Sequence, residues 1–232
     1  MDPDETELVK AAVEGALAPV KELVLRAFGP LADQIGDILG DYGRQYRVRQ
    51  LSKILAKTKR IADKAGIEIN LVPPRILLPA VHFASLESDD ALQEKWAALL
   101  ASTSAEPDRI PPSFPDILHS LSPAEVRFLD RAFDNVTQNS LRVEGAIDKM
   151  PQFSTGIRTD IAIDDGILEV ADEVMLDNLQ RLGLVRLIPG ADVTINADPV
   201  GDERDRYVIT AFGRAFIRAC RPPELDQTAS DP

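Results

Sequence analysis

The sequence has very few of the side chains from which disulfides, metal sites and most catalytic centres are built. Its 232 residues include one cysteine, Cys220, and two histidines, His82 and His119. A single thiol cannot form a disulfide within the chain, which is typical of proteins from a reducing compartment. The sequence contains neither an HExxH nor a CxxC motif, so we expect no bound metal and no other cofactor.

The sequence also offers few of the residue combinations that enzymatic catalysis needs. A hydrolase needs a nucleophile, a base and an orienting group brought together. Only His82 and His119 supply imidazoles, and nothing near Cys220 in the sequence marks its thiol as activated. A small buried thiol is the usual role of an isolated cysteine. We therefore expect no catalytic residue, no enzymatic activity and no small-molecule substrate.

Long apolar runs are missing as well. The most apolar region, residues 11–39, is interrupted by prolines and charged residues, whereas a spanning helix needs about 20 mostly apolar residues in a row. The first seven residues, MDPDETE, are acidic and lack the positive start of a secretory signal. These features predict a cytoplasmic protein, with peripheral attachment at the inner membrane left open.

Aromatic residues make up only 5% of the chain, although hydrophobic residues make up 44%. The core must therefore consist mainly of Leu, Ile, Val and Ala, which favours helix packing and a mainly α fold. We expect five segments along the chain: a disordered lead (1–7), an N-terminal helical domain (8–110), a proline-rich connector (111–121), a winged-helix-like α+β domain (122–221) and a disordered tail (222–232).

Two helices are predicted in the first part of residues 122–221. The segment SPAE at 122–125 is a capping box that begins the first helix. Residues 135–166 are weakly patterned and are predicted to be mostly loop. The second helix is predicted over 167–182, ended by Gly183. Its helically spaced apolar residues are Ile167, Val170, Val174, Leu176, Leu179 and Leu182.

The remainder of this domain predicts strands. LVRLI and RYVIT read as two strands joined by a hairpin region, and Thr210 is predicted to cap the helix that follows. Helix, helix, strand, antiparallel hairpin, strand and helix is the element order of a winged helix.

A winged-helix fold suggests DNA binding, but the charges of the domain predicted here argue against that function. The predicted recognition helix, 169–182, carries net charge −3, and so does the predicted hairpin, 192–206. Readers of duplex DNA carry Lys and Arg in these elements to neutralise phosphates. We therefore expect this domain to contact protein, or to pack on the N-terminal helices, and not to bind nucleic acid. A winged-helix transcriptional regulator stays as a second alternative.

Basic residues are concentrated in one stretch. Residues 41–65 contain eight Lys/Arg and two Asp, a net charge of +6, so the rest of the chain, whose total is −12, carries −18. Five basic residues share one face of a predicted amphipathic helix, opposite an apolar face. These candidate anion-binding residues, named the basic stripe from here on, are Arg49, Lys53, Lys57, Arg60 and Lys64.

Three interpretations of the basic stripe stay open. It can pair with acidic residues of the same chain or of another subunit. It can bind an anionic partner, either nucleic acid or an acidic protein. It can bind an anionic membrane surface, where each basic residue adds about 1 kcal/mol, with the apolar segment 8–39 inserting as an amphipathic helix.

Four segments resemble, in the same order, the abortive infection alpha (Abi-alpha) family of bacterial proteins. They are GPLADQIGDILGDYGRQYRVRQLSKIL, VPPRILLPAVHFASLESDDALQEKWAALLAS, PSFPDILHSLSPAE and YVITAFGRAFIRAC, which together span most of residues 29–220. The resemblance implies phage defence by abortive infection and implies no catalytic residue. The expected function is non-catalytic phage defence through protein–protein contacts or self-association. A membrane-surface effector using helix 44–64 and segment 8–39 is the alternative.

Overall fold

The computed structural model describes residues 26, 44–147, 162–189, 194–195, 198–199 and 205–223. The predicted lead (1–7), the apolar segment 8–39 apart from Arg26, and the tail from 224 onward lie outside the described residues. The chain divides into two compact units, Met1–Pro123 with Arg218–Pro232 and Ala124–Ile217. The described residues are mainly helical, with a small antiparallel sheet near the C-terminus, which confirms the predicted fold class at this level.

The first unit is helical. Its elements are α1 (Arg44–Ala65), α2 (Pro74–Ala84), α3 (Asp90–Ala105), a 3-10 turn (Pro107–Arg109) and α4 (Phe114–His119). Helix α1 packs mainly against α3, and α2 packs against α4. The fully buried side chains are mostly aliphatic, as the composition predicts, with Trp96 and Phe114 as the large aromatic members.

Helix α1 is amphipathic because its apolar residues recur every three or four positions. Leu51, Ile54, Leu55, Ile61 and Ala62 are all buried. The helix ends at Gly66, whose φ of 61° lies in the left-handed region that glycine tolerates without strain. The amide of the next residue, at 67, returns to the carbonyl of Ala62 at 2.9 Å. The apolar face packs into the core, and the basic stripe lies opposite it.

The segment predicted as a connector, 111–121, contains α4. Phe114, Pro115, Ile117 and Leu118 are buried, and α4 packs against α2. A proline in the first turn of a helix has no intrahelical hydrogen bond to lose, so Pro115 favours the start of α4. This segment therefore supplies core side chains to the first unit.

The second unit begins with one long helix. Its elements are α5 (Pro123–Ile147), α6 (Asp165–Leu168), α7 (Glu173–Arg181), β1 (Val185–Ile188), β2 (Thr194–Ile195), β3 (Asp198–Pro199), β4 (Arg206–Ile209) and α8 (Ala211–Ala219). Strands β1 and β4 are antiparallel, with Val185 opposite Ile209, and β2 pairs with β3. An isolated bridge joins Ala162 to Val208. The two predicted strands are therefore confirmed.

Two predicted elements are corrected. Residues 135–147 were predicted to be loop, but they form the second half of α5. No glycine or proline interrupts the chain between Pro123 and Gly145, and the Asn139 side chain donates to Asn135 Oδ1 at 3.3 Å along the helix. The predicted single helix 167–182 is two helices, because Asp172 begins α7 by accepting from the Met175 amide at 2.7 Å.

Thr210 joins β4 to α8 with almost no loop. Its hydroxyl accepts from the Gly213 amide at 2.8 Å, which confirms the predicted cap. The same hydroxyl donates to the carbonyl of Gly183 at 2.6 Å, and the Thr210 amide donates to Leu184 O at 3.0 Å. The junction therefore ties the start of α8 to the chain between α7 and β1.

Candidate functional site

The basic stripe lies along the outward side of α1. Arg49, Lys53, Arg60 and Lys64 are exposed, whereas the side chain of Lys57 is only 14% exposed. Lys57 is less exposed because it lies at the edge of the stripe, next to α3. The structure thus places all five residues on one face, as the spacing predicts, but in different surroundings.

Two members of the stripe are paired with acidic residues of α3. Lys57 Nζ lies 2.6 Å from Asp90 Oδ1 and 3.3 Å from Glu94 Oε1. Arg60 also reaches Glu94 Oε1, at 2.7 Å. The hydrogen bond from Lys57, followed by its charge, lowers the pKa of Asp90 from its usual value of 3.8. Internal pairing therefore accounts for Lys57 and Arg60.

The other three members are open. Arg49, Lys53 and Lys64 form no ion pair within the part of the chain that the structure describes. Lys53 makes a hydrogen bond of 3.2 Å to Gln50 Oε1, and its charge acts on the Asp90 carboxylate without forming an ion pair with it. We name Arg49, Lys53 and Lys64 the open cations.

Tyr46 was missed by the sequence reasoning. It is 46% exposed and precedes Arg49 by three residues and Lys53 by seven, which places all three on one face of α1. The signal for it was present in the sequence, because the stripe's spacing continues back to position 46. The open end of the stripe therefore carries an aromatic ring beside its cations.

The turn that follows α6 and the helix α7 form the second candidate surface. Val170 and Val174, predicted among the helically spaced apolar residues, are 58% and 78% exposed. The exposed acidic residues around them are Asp164, Asp165, Glu169, Asp172, Glu173 and Asp177. Glu169, Glu173 and Asp177 form no ion pair with described residues. We name Glu169, Val170, Glu173, Val174 and Asp177 the acidic–apolar face.

The orientation of α7 is fixed from its inner side. Leu179 is buried, and the Asn178 side chain donates to Glu125 Oε1 at 2.6 Å; Glu125 lies in the first turn of α5 and is only 6% exposed. The guanidinium of Arg181 donates back to Asn178 Oδ1 at 2.7 Å. These contacts turn Val174 and Asp177 toward solvent, because they lie on the opposite side of the helix from Leu179.

The residues considered for catalysis are either packed against an aromatic ring or buried. His119 stacks on Phe83, with ring centroids 4.0 Å apart and an interplanar angle of 7°. His82 meets the same ring edge-on at 5.3 Å, and Cys220 is buried. Among the described residues, no group of three or more His, Cys, Asp or Glu is placed to hold a metal ion. None of the described helices is both long and apolar enough to cross a bilayer.

The described residues define a mainly helical protein that has a small antiparallel sheet near its C-terminus and carries one basic and one acidic–apolar surface. A family model, abortive infection alpha, matches residues 44–220, which is most of the chain. The chain belongs to the abortive infection alpha family, and the resemblance found in the sequence is confirmed. Membership indicates an abortive-infection role. No curated protein and no solved structure matches the chain.

Proposed function

We propose that this protein acts in abortive infection by contacting another polypeptide, without catalysis and without reading duplex DNA. The contact surface is the acidic–apolar face on α7 and the turn before it, and the protein works in the cytoplasm. The observation that carries the proposal is the exposure of Val174, at 78%, on a helix whose other exposed residues are Glu173, Asp177 and Arg181.

Two exposed valines form an apolar surface whose burial by a partner is energetically favourable. Burying a Val side chain fully is favourable by about 1.5–3 kcal/mol relative to leaving it in water. Val170 and Val174 bring little of that gain to the fold, because most of their surface stays accessible. Acidic residues around such a pair favour a basic or amphipathic polypeptide as the partner.

The element order of the second unit supports a winged-helix-like module. It runs α5, the Ala162 bridge, α6, α7, β1, the β2–β3 hairpin, β4, so α7 occupies the position of a recognition helix. A DNA reader needs cations there to neutralise phosphates. The exposed side of α7 carries two carboxylates, Glu173 and Asp177, against one cation, Arg181. The module is therefore better suited to protein contact than to a duplex.

A phage-challenge assay tests the proposal. Cells expressing Val174→Asp should lose protection, because the substitution puts another charge at the centre of the contact surface. The matched control is Leu71→Asp, at a hydrophobic residue of the first unit that is 54% exposed. Both variants should match wild type in expression and thermal midpoint. Full protection by Val174→Asp, or equal loss in both variants, would contradict the proposal.

A second candidate is a membrane-surface effector, favoured by the open cations together with Tyr46. Tyrosine is enriched where an apolar body meets a wet interface, and each cation near an anionic surface adds about 1 kcal/mol. Liposome flotation tests it. Binding to anionic but not neutral vesicles, lost in Arg49→Glu/Lys53→Glu, would support this function. Absence of flotation with anionic vesicles would rule out this membrane function.

A transcriptional regulator is the remaining alternative, and a gel-shift assay at low salt addresses it. The proposed function predicts no tight duplex binding. Tight binding that Arg181→Glu abolishes would favour DNA reading instead, because Arg181 is the one basic residue of α7.

A further inference from the structure

We infer that the polypeptide bound by the acidic–apolar face is a second copy of this chain, which contributes Arg49 and Lys53 of the basic stripe. The inference rests on the proposed function, because it names a partner for the same face. Its basis is the complementarity of two surfaces that the described residues leave open, one on α1 and one on α7 and the turn before it.

The two surfaces carry opposite charges, and some of the charged residues on each form no ion pair with described residues. Arg49 and Lys53 carry cations with no ion pair among the described residues, and the same holds for the carboxylates of Glu173 and Asp177. Lys57 and Arg60 are excluded from the contact, because Asp90 and Glu94 already neutralise them. The first half of the stripe is therefore the part that a second copy can use.

The spacing of the two surfaces also agrees. Arg49 and Lys53 are four residues apart on α1, and Glu173 and Asp177 are four residues apart on α7. Residues with this spacing lie about 6 Å apart along a helix, so two helices laid side by side can align both pairs. Apolar groups accompany the charges on each side, Tyr46 on α1 and Val174 on α7.

The contact joins two different patches, and each copy offers one of each. Two copies can therefore pair reciprocally in a two-fold dimer, or many copies can form a ring or an open chain. In each case assembly should depend on concentration.

Salt should weaken this assembly, because the pairs lie at the surface. The Debye length falls from about 10 Å at 0.1 M to about 3 Å at 1 M ionic strength. Association should be strong at low salt and largely lost at high salt. The valines and Tyr46 give a contribution that salt does not screen, so a weak residual association should persist.

Light scattering of the full chain after size exclusion, over a range of concentrations, tests the inference. At low salt the wild-type mass should rise above the 25.4 kDa of one chain. Two neutralised variants, Arg49→Gln/Lys53→Gln and Glu173→Gln/Asp177→Asn, should each lose self-association. Mixing them should restore a complex of two copies and no larger, because only one intact stripe and one intact face remain. The matched control, Glu106→Gln/Arg109→Gln, removes one charge of each sign and should assemble like wild type.

Other outcomes overturn the inference and are distinguishable from failure of the proposed function. A wild-type chain that stays monomeric at every concentration at low salt rules out the second copy. If Val174→Asp still abolishes phage protection, the face binds another polypeptide and the proposed function stands. If the chain is monomeric and floats with anionic vesicles, and flotation requires Arg49 and Lys53, then the stripe binds a membrane and not a second copy. The inference is also contradicted if neither pair of neutralising substitutions changes the assembly. It is supported if each pair abolishes the assembly, whatever the phage assay returns.

Discussion

Two hydrogen bonds connect Lys57 of α1 to Asp90 of α3. The ammonium nitrogen of Lys57 lies 2.6 Å from Asp90 Oδ1 and 3.2 Å from the Asp90 backbone oxygen. The two residues are separated by 33 positions in the sequence, so the contact links the basic helix to the start of its main packing partner. It also divides the basic stripe into a neutralised part and an open part.

The pKa of Asp90 should depend on Lys57. The hydrogen bond and charge of Lys57 lower the pKa of this carboxyl below 3.8, so Lys57→Met should move it upward. A depressed pKa in the folded state gives a contribution to stability that is present above 3.8 and lost as pH falls through the folded pKa. The stability advantage of wild type over Lys57→Met should therefore shrink on acidification through this range.

NMR titration of the Asp90 side chain measures this effect directly. Arg109→Met serves as the control, because its exposed ion pair with Glu106 is separate from Asp90. An Asp90 pKa that is the same in wild type and in Lys57→Met would contradict the assigned cause.

Gly213 should be the least replaceable glycine of the described residues. A methyl group at this position would overlap the carbonyl oxygen of Leu184, so Gly213→Ala must move the backbone of α8 or of the chain before β1. We expect a loss of about 3 kcal/mol or more in the free energy of unfolding.

Gly66→Ala is the matched comparison, because it tests conformation without crowding. Its φ is 61° and nothing lies within 4 Å of the added methyl group, so the cost should be only that of a left-handed residue, about 1–2 kcal/mol. Chemical denaturation of both variants checks the order. A Gly213→Ala variant as stable as Gly66→Ala would contradict the close approach to Leu184.

The hydroxyl of Thr210 should be needed both for α8 and for its attachment beside Gly183. Thr210→Val keeps the shape but removes the cap of the Gly213 amide and the donor to Gly183 O. Loss of an N-cap costs about 1–2 kcal/mol. Thr210→Ser keeps both hydrogen bonds and should stay within about 0.5 kcal/mol of wild type. Equal stability of the Val and Ser variants, measured by thermal unfolding, would show that the hydroxyl has no such role.

Much of the fold follows from local signals in the sequence. The buried side of α1, the two strands around the hairpin and the cap at Thr210 each depend on residues a few positions apart. The break between α6 and α7 was missed because Val170 and Val174 continue the helical spacing across it. The signal against a single helix was Asp172, whose short carboxylate favours a helix start over a helix interior.

The sites were harder to predict than the elements. Spacing alone placed the basic stripe on one face, but only the fold brings Asp90 and Glu94 to Lys57 and Arg60. Exposure of Val174 likewise depends on Asn178 and Glu125, which lie 53 residues apart. Contacts between residues this distant arise from tertiary packing, which periodicity does not report.

Photo-crosslinking at position 174 shows whether the acidic–apolar face binds a polypeptide. A photoreactive amino acid replaces Val174 in cells exposed to phage, with the same replacement at Leu71 as the control. We expect a covalent adduct with a polypeptide from position 174, absent from position 71 and reduced by Glu173→Gln/Asp177→Asn. An adduct with nucleic acid, or equal polypeptide adducts from both positions, would contradict the proposed polypeptide contact.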